Sequence, residues 1–553
     1  MDSSRCSPTK VIACFSIIKI FFITAQFQVI VTLFVSKLKK KHISLYKLIM
    51  KIILIAPYVD IKFDRPVELS RGDFIPSAAL LYLAAILRVN NYEPIILELN
   101  NSVVDKQKEK YFDYCKKIII DNLNKHKPDL VGINCLFSGV FADVLKLAKA
   151  IKSHSPHSKI VIGGLHPTTF TKEILTNCND IDYIAIGEGE KPIVALADSI
   201  KAKNENLLSS IKSFAYKDKD GTVRTNRETN YVDDLDSLPM PAWDLINLDE
   251  FQVKMDHFYN PRKLPIKHRA YIFASRACPC ICNFCDIFLV MGRKHRRRSP
   301  KTVVDEIELL NKSYGVNYFS FNDDNLTLNR THIMSICNEI LKRKLVIMMD
   351  TPSGLWINSL REEVIAKMAE SGFVKVSISI EHGDDYIRNK VIGKVLDRKK
   401  IFEITALLKK YKIMSTGNFI MGFPEDTNET LQNSYDMIDE LQMDHPTVQA
   451  LIPLYGTPLF KQVVRDRLFI GDWNLDEIWK TPLSLVQSTF VIKPYNMSID
   501  SLYKWRQKFD ILLSKHSKTN PNSVTGSHKI SIDSSGVFPR PIHGGKIKGS
   551  VRN

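Results

Sequence analysis

The sequence predicts an α/β protein with two parallel-sheet domains: a flavodoxin-like (Rossmann-like) sheet followed by a partial (β/α)6 barrel of the TIM type. Three observations support this prediction. Apolar runs alternate with amphipathic helical stretches over 51–200, the alternation resumes at residue 270, and a polar, Pro-broken segment separates the two parts. A chain of 553 residues is also too long for one hydrophobic core.

The first alternation contains five candidate strands. This spacing indicates a parallel sheet covered by helices on both faces, and such sheets bind ligands beyond the carboxyl ends of their strands. The strands are predicted at 52–56, 93–99, 130–135, 159–164 and 181–187, and the helices at 77–90, 107–125, 142–153 and 190–202.

The second alternation contains six strand-helix units. Six units of this length make a partial or open parallel barrel, whose chemistry is expected on the loops that follow the strands. The strands are predicted at 271–275, 317–321, 345–349, 374–380, 415–421 and 447–453, and the helices at 300–313, 331–343, 361–371, 397–411 and 427–440.

These patterns divide the chain into predicted domains. The flavodoxin-like domain spans 50–202 and the barrel spans 269–465. An irregular linker is predicted between them at 203–268, because it is polar and contains the Pro-broken stretch DDLDSLPMPAWDLI. A helical C-terminal region follows at 466–515, and the Ser/Gly/Asn-rich tail at 516–553 is predicted to be disordered.

The first 49 residues allow two interpretations. The apolar stretch 11–36 is long enough to cross a bilayer, and the basic KLKKK after it would place the following chain on the cytoplasmic face. Lys19, Gln26 and Gln28 are unfavourable at mid-bilayer, however. In the second interpretation Met50 is the start, and 1–49 is an upstream extension. In both, the body of the protein is cytoplasmic.

The net charge of +17 does not indicate a nucleic-acid partner. Eight Lys/Arg against one acid lie in 1–50, and six against one lie in 516–553, which leaves 63 bases and 58 acids for 51–515. The basic run GRKHRRRSP at 292–300 is interpreted as a solvated rim near an anionic cofactor or substrate.

Four of the ten cysteines lie together in SRACPCICNFCDIF, on the loop after the first barrel strand. Cys278, Cys282 and Cys285 have the spacing C-x3-C-x2-C. Three thiolates on one loop can bind three irons of a [4Fe-4S] cluster and leave the fourth iron open. A zinc knuckle lacks a second ligand pair, and a disulfide is disfavoured by the reducing compartment and by strain. Cys280 could also act as a fourth ligand and close the cluster, and this alternative is retained.

CPCICNFC resembles the C-x3-C-x-aromatic-C signature of the radical S-adenosylmethionine (SAM) enzymes, with Phe284 as the aromatic residue. The resemblance extends over roughly 270–460. It implies that the amino and carboxylate groups of SAM bind the open iron. Reduction by an electron donor such as flavodoxin or ferredoxin would then cleave SAM to methionine and a 5′-deoxyadenosyl radical.

The same resemblance suggests further SAM contacts in FSFNDDNLTLN, SISIEHGDD and GNFIMGFPEDT. Carboxylate and amide oxygens suit an ammonium group, which offers only donors. A solvated turn, a surface arginine and turn-forming glycines are the alternatives. The candidates are Phe284, then Asp323, Asp324 and Asn325 for the amino group, Glu381 for the ribose, Arg388 for the carboxylate, and Gly417, Gly422 and Glu425 on the adenine side.

The first domain resembles the cobalamin-binding domain of the cobalamin-dependent radical SAM enzymes. GINCLFSG, VIGGLHPT and AIGEGE follow successive strands, so their loops converge on one crevice, and FIPSAALLYLAAIL and LDSLPMPAWDL occur in the expected order. The D-x-H-x-x-G motif is absent, which implies base-off binding without a histidine ligand to cobalt; a sheet without cobalamin is the alternative. The candidate contacts are Ser138, Gly163, Gly164, His166, Gly187 and Glu188.

The resemblance implies methylation of an unreactive carbon, or less often phosphorus, of a small molecule. The alternatives are a radical cyclase or rearrangement enzyme that donates no methyl group, and a non-catalytic iron-sulfur or cobalamin sensor with a closed cluster. RNA methylthiolation fits poorly, because the first domain has no cysteine triplet of its own.

Overall fold

The structure is a computed structural model that describes residues 49–57, 75–99, 111–251, 259–471, 473–481 and 490–519. The predicted anchor or extension therefore lies, apart from Ile49, outside the described residues. The predicted disordered tail lies outside them from residue 520, and 516–519 belong to the last helix. In the part of the chain that is described, no helix combines the length and apolar character needed to span a membrane.

The first domain is built on a seven-stranded sheet. Its strand order is β2-β1-β3-β4-β5-β6-β7, and β1 to β5 run parallel. The strands are β1 (Lys51–Ala56), β2 (Glu93–Glu98), β3 (Leu130–Asn134), β4 (Lys159–Gly163), β5 (Tyr183–Ala185), β6 (Phe214–Lys217) and β7 (Val223–Asn226), and the helices are α1 (Ala78–Val89), α2 (Tyr111–His126), α3 (Phe141–His154), α4 (Leu165–Thr169), α5 (Thr171–Asn177) and α6 (Glu190–Ala202).

The strand order reverses between β1 and β3, since β2 lies on one side of β1 and β3 on the other. Ligands of open parallel sheets bind in the crevice outside the carboxyl ends of the strands at such a switch point. The loops after β3, β4 and β5 therefore border the crevice that the sequence predicts.

The prediction of an irregular linker over 203–268 is wrong for its first third. Strands β6 and β7 form an antiparallel hairpin that extends the first sheet from β5. The strands escape a pattern search because each has only four residues, and β7 is half exposed. Their turn, DKDG, places Gly221 at φ +83°, a conformation that favours glycine.

The second domain is a parallel six-stranded sheet in the order β15-β14-β13-β12-β11-β8, with the two edge strands unpaired to each other in the described residues. This confirms the partial barrel. The strands are β8 (Arg269–Ile272), β11 (Tyr318–Phe321), β12 (Met348–Leu355), β13 (Phe373–Glu381), β14 (Met414–Met421) and β15 (His445–Ala450), with a ribbon of β9 (Ser275–Arg276) and β10 (Arg296–Arg297) beside them. The helices are α7 (Phe288–Met291), α8 (Pro300–Tyr314), α9 (Arg330–Lys342), α10 (Glu362–Ser371), α11 (Arg398–Lys410), α12 (Asn428–Leu441), α13 (Pro458–Arg465) and α14 (Ile499–Thr519).

Alternation along the barrel strands separates an apolar outer face from a polar lumen. In β13, Val376, Ile378 and Ile380 pack into the main core between sheet and helices. Successive side chains of a strand point to opposite faces, so Ser379 and Glu381 point into the lumen. The lumen therefore carries polar groups up to the carboxyl end of the sheet.

The two domains share one apolar cluster. Trp479 contacts Phe141 of the first domain, with ring centroids 5.9 Å apart, and Tyr455 contacts Phe170 at 4.8 Å. Cys282 and Phe284 pack against this same cluster. The cysteine loop therefore borders the apolar cluster that joins the two domains.

Candidate active site

The cysteine loop is held at both ends and in its middle. It follows β9, and β9 pairs with β10. The backbone N–H of Asn283 donates to Ile392 O at 3.1 Å, and Asn283 O accepts from Leu459 N at 3.0 Å. These bonds connect the loop to the segments after β13 and β15, at the carboxyl ends of the barrel strands.

Two residues beside the site adopt backbone conformations that are unusual for side chains with a Cβ. Ala277, directly before Cys278, has φ +72°, and Glu381, at the end of β13, has φ +70°. Such conformations cost roughly 1–2 kcal/mol for an L-residue and concentrate at functional sites. Asp324 Oδ2 accepts from Ala277 N at 2.8 Å, which stabilises the first of them.

The thiols differ in protonation chemistry. Cys278, Cys280, Cys282 and Cys285 are all free and partly exposed. A hydrogen bond from Cys280 lowers the pKa of Cys278 to about 6, whereas burial raises the pKa of Cys285 to about 12. Because metal ligation requires thiolates, loading of this loop releases protons, chiefly from the buried thiols.

The donor set fits an iron-sulfur cluster better than a single ion. Within the described residues, no three His, Cys, Asp or Glu side chains are close enough to hold one metal ion. A [4Fe-4S] cube needs no such convergence, because its thiolates bind separate irons. Cys278, Cys282 and Cys285 are the three that would bind it.

The residues of the acidic turn after β11 have two different roles. Asp323 and Asp324 bind the segment before the cysteine loop, whereas Asn325 faces the thiol of Cys278. Asp323 is buried, and it accepts from Ser275 Oγ at 2.5 Å and from Ala274 N at 3.2 Å; burial raises its pKa to about 7. Asp323 and Asp324 thus hold the strand that leads into the cysteine loop. Asn325 differs, because its Nδ2 lies 3.8 Å from Cys278 Sγ and its buried Oδ1 has no partner.

Glu381 forms a buried ion pair with Lys394, whose Nζ lies 2.8 Å from Glu381 Oε1. Burial, the largest single influence, lowers the pKa of Lys394, but the Glu381 carboxylate together with Cys282 and Cys280 raises it, and the net result is a raised pKa. Cys282 also acts on Lys394 electrostatically, so the pair borders the thiols. Sequence reasoning missed Lys394, because a lysine in the polar stretch IGKVLD gives no sign of burial.

Replacement of Glu381 with glutamine is expected to weaken SAM binding by about 10- to 100-fold, because a hydrogen bond to a charged group contributes about 1.5–3 kcal/mol. It also leaves the Lys394 ammonium buried without its counter-charge. Equilibrium dialysis of labelled SAM against cluster-loaded protein measures the change. Glu403→Gln removes an exposed ion pair with Lys400 and serves as the control; equal affinity for both variants would contradict this role of Glu381.

Arg388 is not available to a SAM carboxylate in this structure, and it is not a surface arginine either. It is fully buried, and its guanidinium donates to Leu396 O at 3.0 Å, His382 O at 2.8 Å and Gly383 O at 3.1 Å, and also pairs with Asp385. Arg388 therefore fastens the loop after β13.

Packing and backbone conformation explain why glycine is present at positions 417 and 422 on the predicted adenine side. A Cβ on Gly417 would lie 2.4 Å from Met443 Sδ, and Gly422 has φ +98° while its N–H donates to Asp426 Oδ2 at 2.7 Å. Glu425 accepts from Gln462 Nε2 at 2.6 Å. These contacts fix the loop after β14 and leave the adenine contact a prediction.

The crevice of the first domain contains an orphaned polar atom. His166 is 1% exposed, and its Nδ1 lies 2.9 Å from Ser138 Oγ, while Nε2 has no partner. Burial lowers the pKa of His166 to about 3, so its ring is neutral. Gly164 brings the backbone against the neighbouring loop, since a Cβ there would lie 2.4 Å from Cys135 O. Gly163, His166 and Ser138 are thus placed together, as a buried cofactor tail would require.

Gly187 and Glu188 lie instead at the domain interface. A Cβ on Gly187 would lie 3.2 Å from Val290 O of the second domain. Glu188 is buried and pairs with Arg276 and Arg296, and Val232 N donates to its Oε2 at 2.8 Å. A direct cofactor contact by Glu188 is therefore not supported.

The solvated rim predicted for GRKHRRRSP is also wrong at Arg296 and Arg298, which are buried.

Comparison with known proteins agrees with this two-domain site. Residues 65–197 match the B12 binding domain model and residues 272–438 match the Radical SAM superfamily model, together more than half of the chain. The chain is 29% identical over 423 residues to an uncharacterised methyltransferase of Pyrococcus horikoshii, covering 76% of this chain and 85% of that protein. It is 27% identical over 420 residues to the cytidylyl-2-hydroxyethylphosphonate methyltransferase of Streptomyces wedmorensis, covering 69% and 77%.

Among solved structures, the fold is similar to the radical SAM methyltransferase TsrM from Kitasatospora setae, solved with cobalamin and a [4Fe-4S] cluster. The TM-score is 0.59 at 18% identity, and the match covers 76% of this chain and 75% of TsrM. The two domains and their order along the chain agree with the two matching models. The chain belongs to the radical SAM enzymes that carry an N-terminal cobalamin-binding domain.

Proposed function

We propose that this protein transfers a methyl group from SAM to an unactivated carbon or phosphorus atom of a small molecule. The observation that carries the proposal is the apolar cluster shared by the two domains. Cys282 and Phe284 pack against it, and it includes Phe141 and Phe170, whose rings contact His166. When bound, the iron-sulfur cluster and SAM supply a 5′-deoxyadenosyl radical, and cobalamin carries the methyl group.

The protein's own residues bind, orient and shield these groups. Cys278, Cys282 and Cys285 would hold the cluster. The SAM ammonium group would donate to Asn325 Oδ1, which is buried without a partner, while Nδ2 of the same side chain lies 3.8 Å from Cys278 Sγ. Glu381 accepts from the ribose hydroxyls, with Lys394 fixing its carboxylate.

On the first domain, neutral His166 offers Nε2 to the buried tail of the corrin, and Ser138 sets the orientation of its ring. The aromatic side chains around Tyr455 and Trp479 exclude water from the junction between the two sites. Exclusion of water protects a radical from side reactions.

We also propose that a reduced flavodoxin- or ferredoxin-type protein delivers the electron. Ile281, within the cysteine loop, is 68% exposed, so the loop reaches the protein surface. A donor that docks there comes close to the three thiols without crossing the apolar cluster.

Anaerobic reconstitution with iron, sulfide and hydroxocobalamin, followed by dithionite and SAM, tests the proposal. We expect 5′-deoxyadenosine in the product mixture and transfer of a labelled methyl group from SAM to cobalamin. Formation of 5′-deoxyadenosine without methyl transfer would favour a cyclase or rearrangement, and formation of neither would favour the sensor.

A further inference from the structure

Four charged side chains are buried together between the two domains: Glu188 from the loop after β5, Glu190 from the start of α6, Arg276 from β9 and Arg296 from β10. We call them the interdomain ion cluster. Their side chains are between 2% and 10% exposed. Two carboxylates against two guanidiniums make the set neutral, so each charge has a counter-charge within the cluster.

The distances show one continuous cluster. Glu188 Oε1 lies 3.1 Å from Arg276 Nη1 and 2.8 Å from Arg296 Nη1. Glu190 Oε1 lies 2.7 Å from Arg276 Nη2. Arg296 Nη1 also donates to Val232 O at 2.9 Å. Each glutamate belongs to the first domain and each arginine to the second, so every ion pair crosses the interface.

Two tyrosine rings complete the enclosure. The Arg276 guanidinium lies 5.2 Å from the centroid of the Tyr82 ring, and that of Arg296 lies 5.0 Å from the centroid of Tyr231. Arginine favours such sites because its planar guanidinium both forms ion pairs and stacks on aromatic rings. Lysine could not reproduce this arrangement.

The cluster connects directly to the cysteine loop. Arg276 is two residues before Cys278, and Arg276 and Arg296 face each other in the β9–β10 ribbon. Both guanidiniums also act on Asp324, where they oppose the rise of its pKa caused by burial. Since Asp324 holds the backbone of Ala277, the loop after β5 is tied to the first thiol through a short chain of contacts.

We infer that the interdomain ion cluster is a positioning device, which sets the separation between the cofactor crevice of the first domain and the cysteine loop of the second. Buried ion pairs are a weak source of stability and are better suited to fixing one arrangement among several. The inference rests on the proposed function. It predicts that loss of a charge from the cluster lowers methyl transfer between the two sites much more than SAM cleavage, because the groups proposed for SAM cleavage all belong to the second domain.

Glu190→Gln and Arg296→Gln test the inference in the full-length, reconstituted protein. Two reactions are measured without substrate: 5′-deoxyadenosine formation from SAM, and methyl transfer from SAM to reduced cobalamin. We expect the ratio of methyl transfer to SAM cleavage to fall by about 10- to 100-fold, because misplacement of reacting groups by about 1 Å costs up to 100-fold. In Glu190→Gln, SAM cleavage itself should stay within about twofold of the unmodified protein, because Arg276 keeps its ion pair with Glu188.

A control and a spectroscopic measurement separate positioning from loss of structure. Lys294→Gln removes the exposed ion pair with Asp233, which joins the segments of Arg296 and Val232 at the surface, and should leave the ratio unchanged. The magnetic coupling between cob(II)alamin and the reduced iron-sulfur cluster, measured by electron paramagnetic resonance, should weaken or broaden in the two test variants only.

The outcomes are distinct. If Arg296→Gln fails to fold, the isosteric Glu190→Gln decides. An unchanged ratio with unchanged coupling would overturn the inference, and so would a parallel loss of both reactions with loss of iron. If the unmodified protein performs neither reaction, the proposed function is at fault instead.

Discussion

Replacement of Cys282 with alanine is expected to abolish SAM cleavage and to remove nearly all bound iron. The two remaining thiolates bind only two irons of the cube. The iron that Cys282 would have bound is then exposed to solvent. Among the four thiols of the loop, Cys282 is the one that packs against the apolar cluster shared by the two domains. Iron analysis, visible absorption and 5′-deoxyadenosine assays of the anaerobically reconstituted protein measure the effect.

Cys280→Ala is the matched control, because it removes a thiol from the same loop. We expect it to retain the iron-sulfur cluster and SAM cleavage, since Cys280 lies outside the C-x3-C-x2-C spacing. It should also remove the hydrogen bond that lowers the pKa of Cys278. Loss of the cluster in Cys280→Ala would mean that the cluster is closed, and the sensor function would then be favoured.

Replacement of Gly164 with alanine is expected to give the second-largest effect, a loss of stability in the first domain together with loss of cobalamin binding. Gly164 has φ +117°, and a Cβ would lie 2.4 Å from Cys135 O, which is backbone and cannot turn away. We expect a cost of about 3 kcal/mol, which lowers Tm by roughly 6–12 °C.

Thermal unfolding of the cobalamin-free protein measures this cost without interference from the cofactor, and a visible-absorption titration measures cobalamin affinity. Gly163→Ala is the control, because its Cβ would lie 3.6 Å from Ala185 Cβ, an ordinary contact. Its effect on stability should stay within about 1 kcal/mol. Equal Tm values for the two variants would show that the loops after β3 and β4 adapt freely.

The sequence predicted most regular elements because their signals are local. Strand β13 and helix α12, for example, lie within one residue of the predicted 374–380 and 427–440. The β6–β7 hairpin was missed, because its strands are short and because β6 pairs with β5, a contact between residues about 30 positions apart in sequence.

Only part of the candidate site was predicted correctly, again because local signals can be read from the sequence and contacts between distant residues cannot. The thiol spacing is a local signal. By contrast, the acidic turn packs against β9, and this packing decides that Asp323 binds Ser275 and that Asn325 faces Cys278. The burial of Arg388 and Lys394 likewise depends on loops that meet only in the folded protein. Charged residues in polar stretches look alike in a sequence, whether they end in water or in the interior.

Because the interdomain ion cluster is buried, its ion pairs should respond little to changes in salt concentration. Counterions screen charges at the surface over about 3 Å at 1 M salt, but they have little effect on pairs from which solvent is excluded. The surface pair Lys294–Asp233, with Lys294 77% exposed, should lose its attraction in concentrated potassium chloride. The contact between the two domains should persist there.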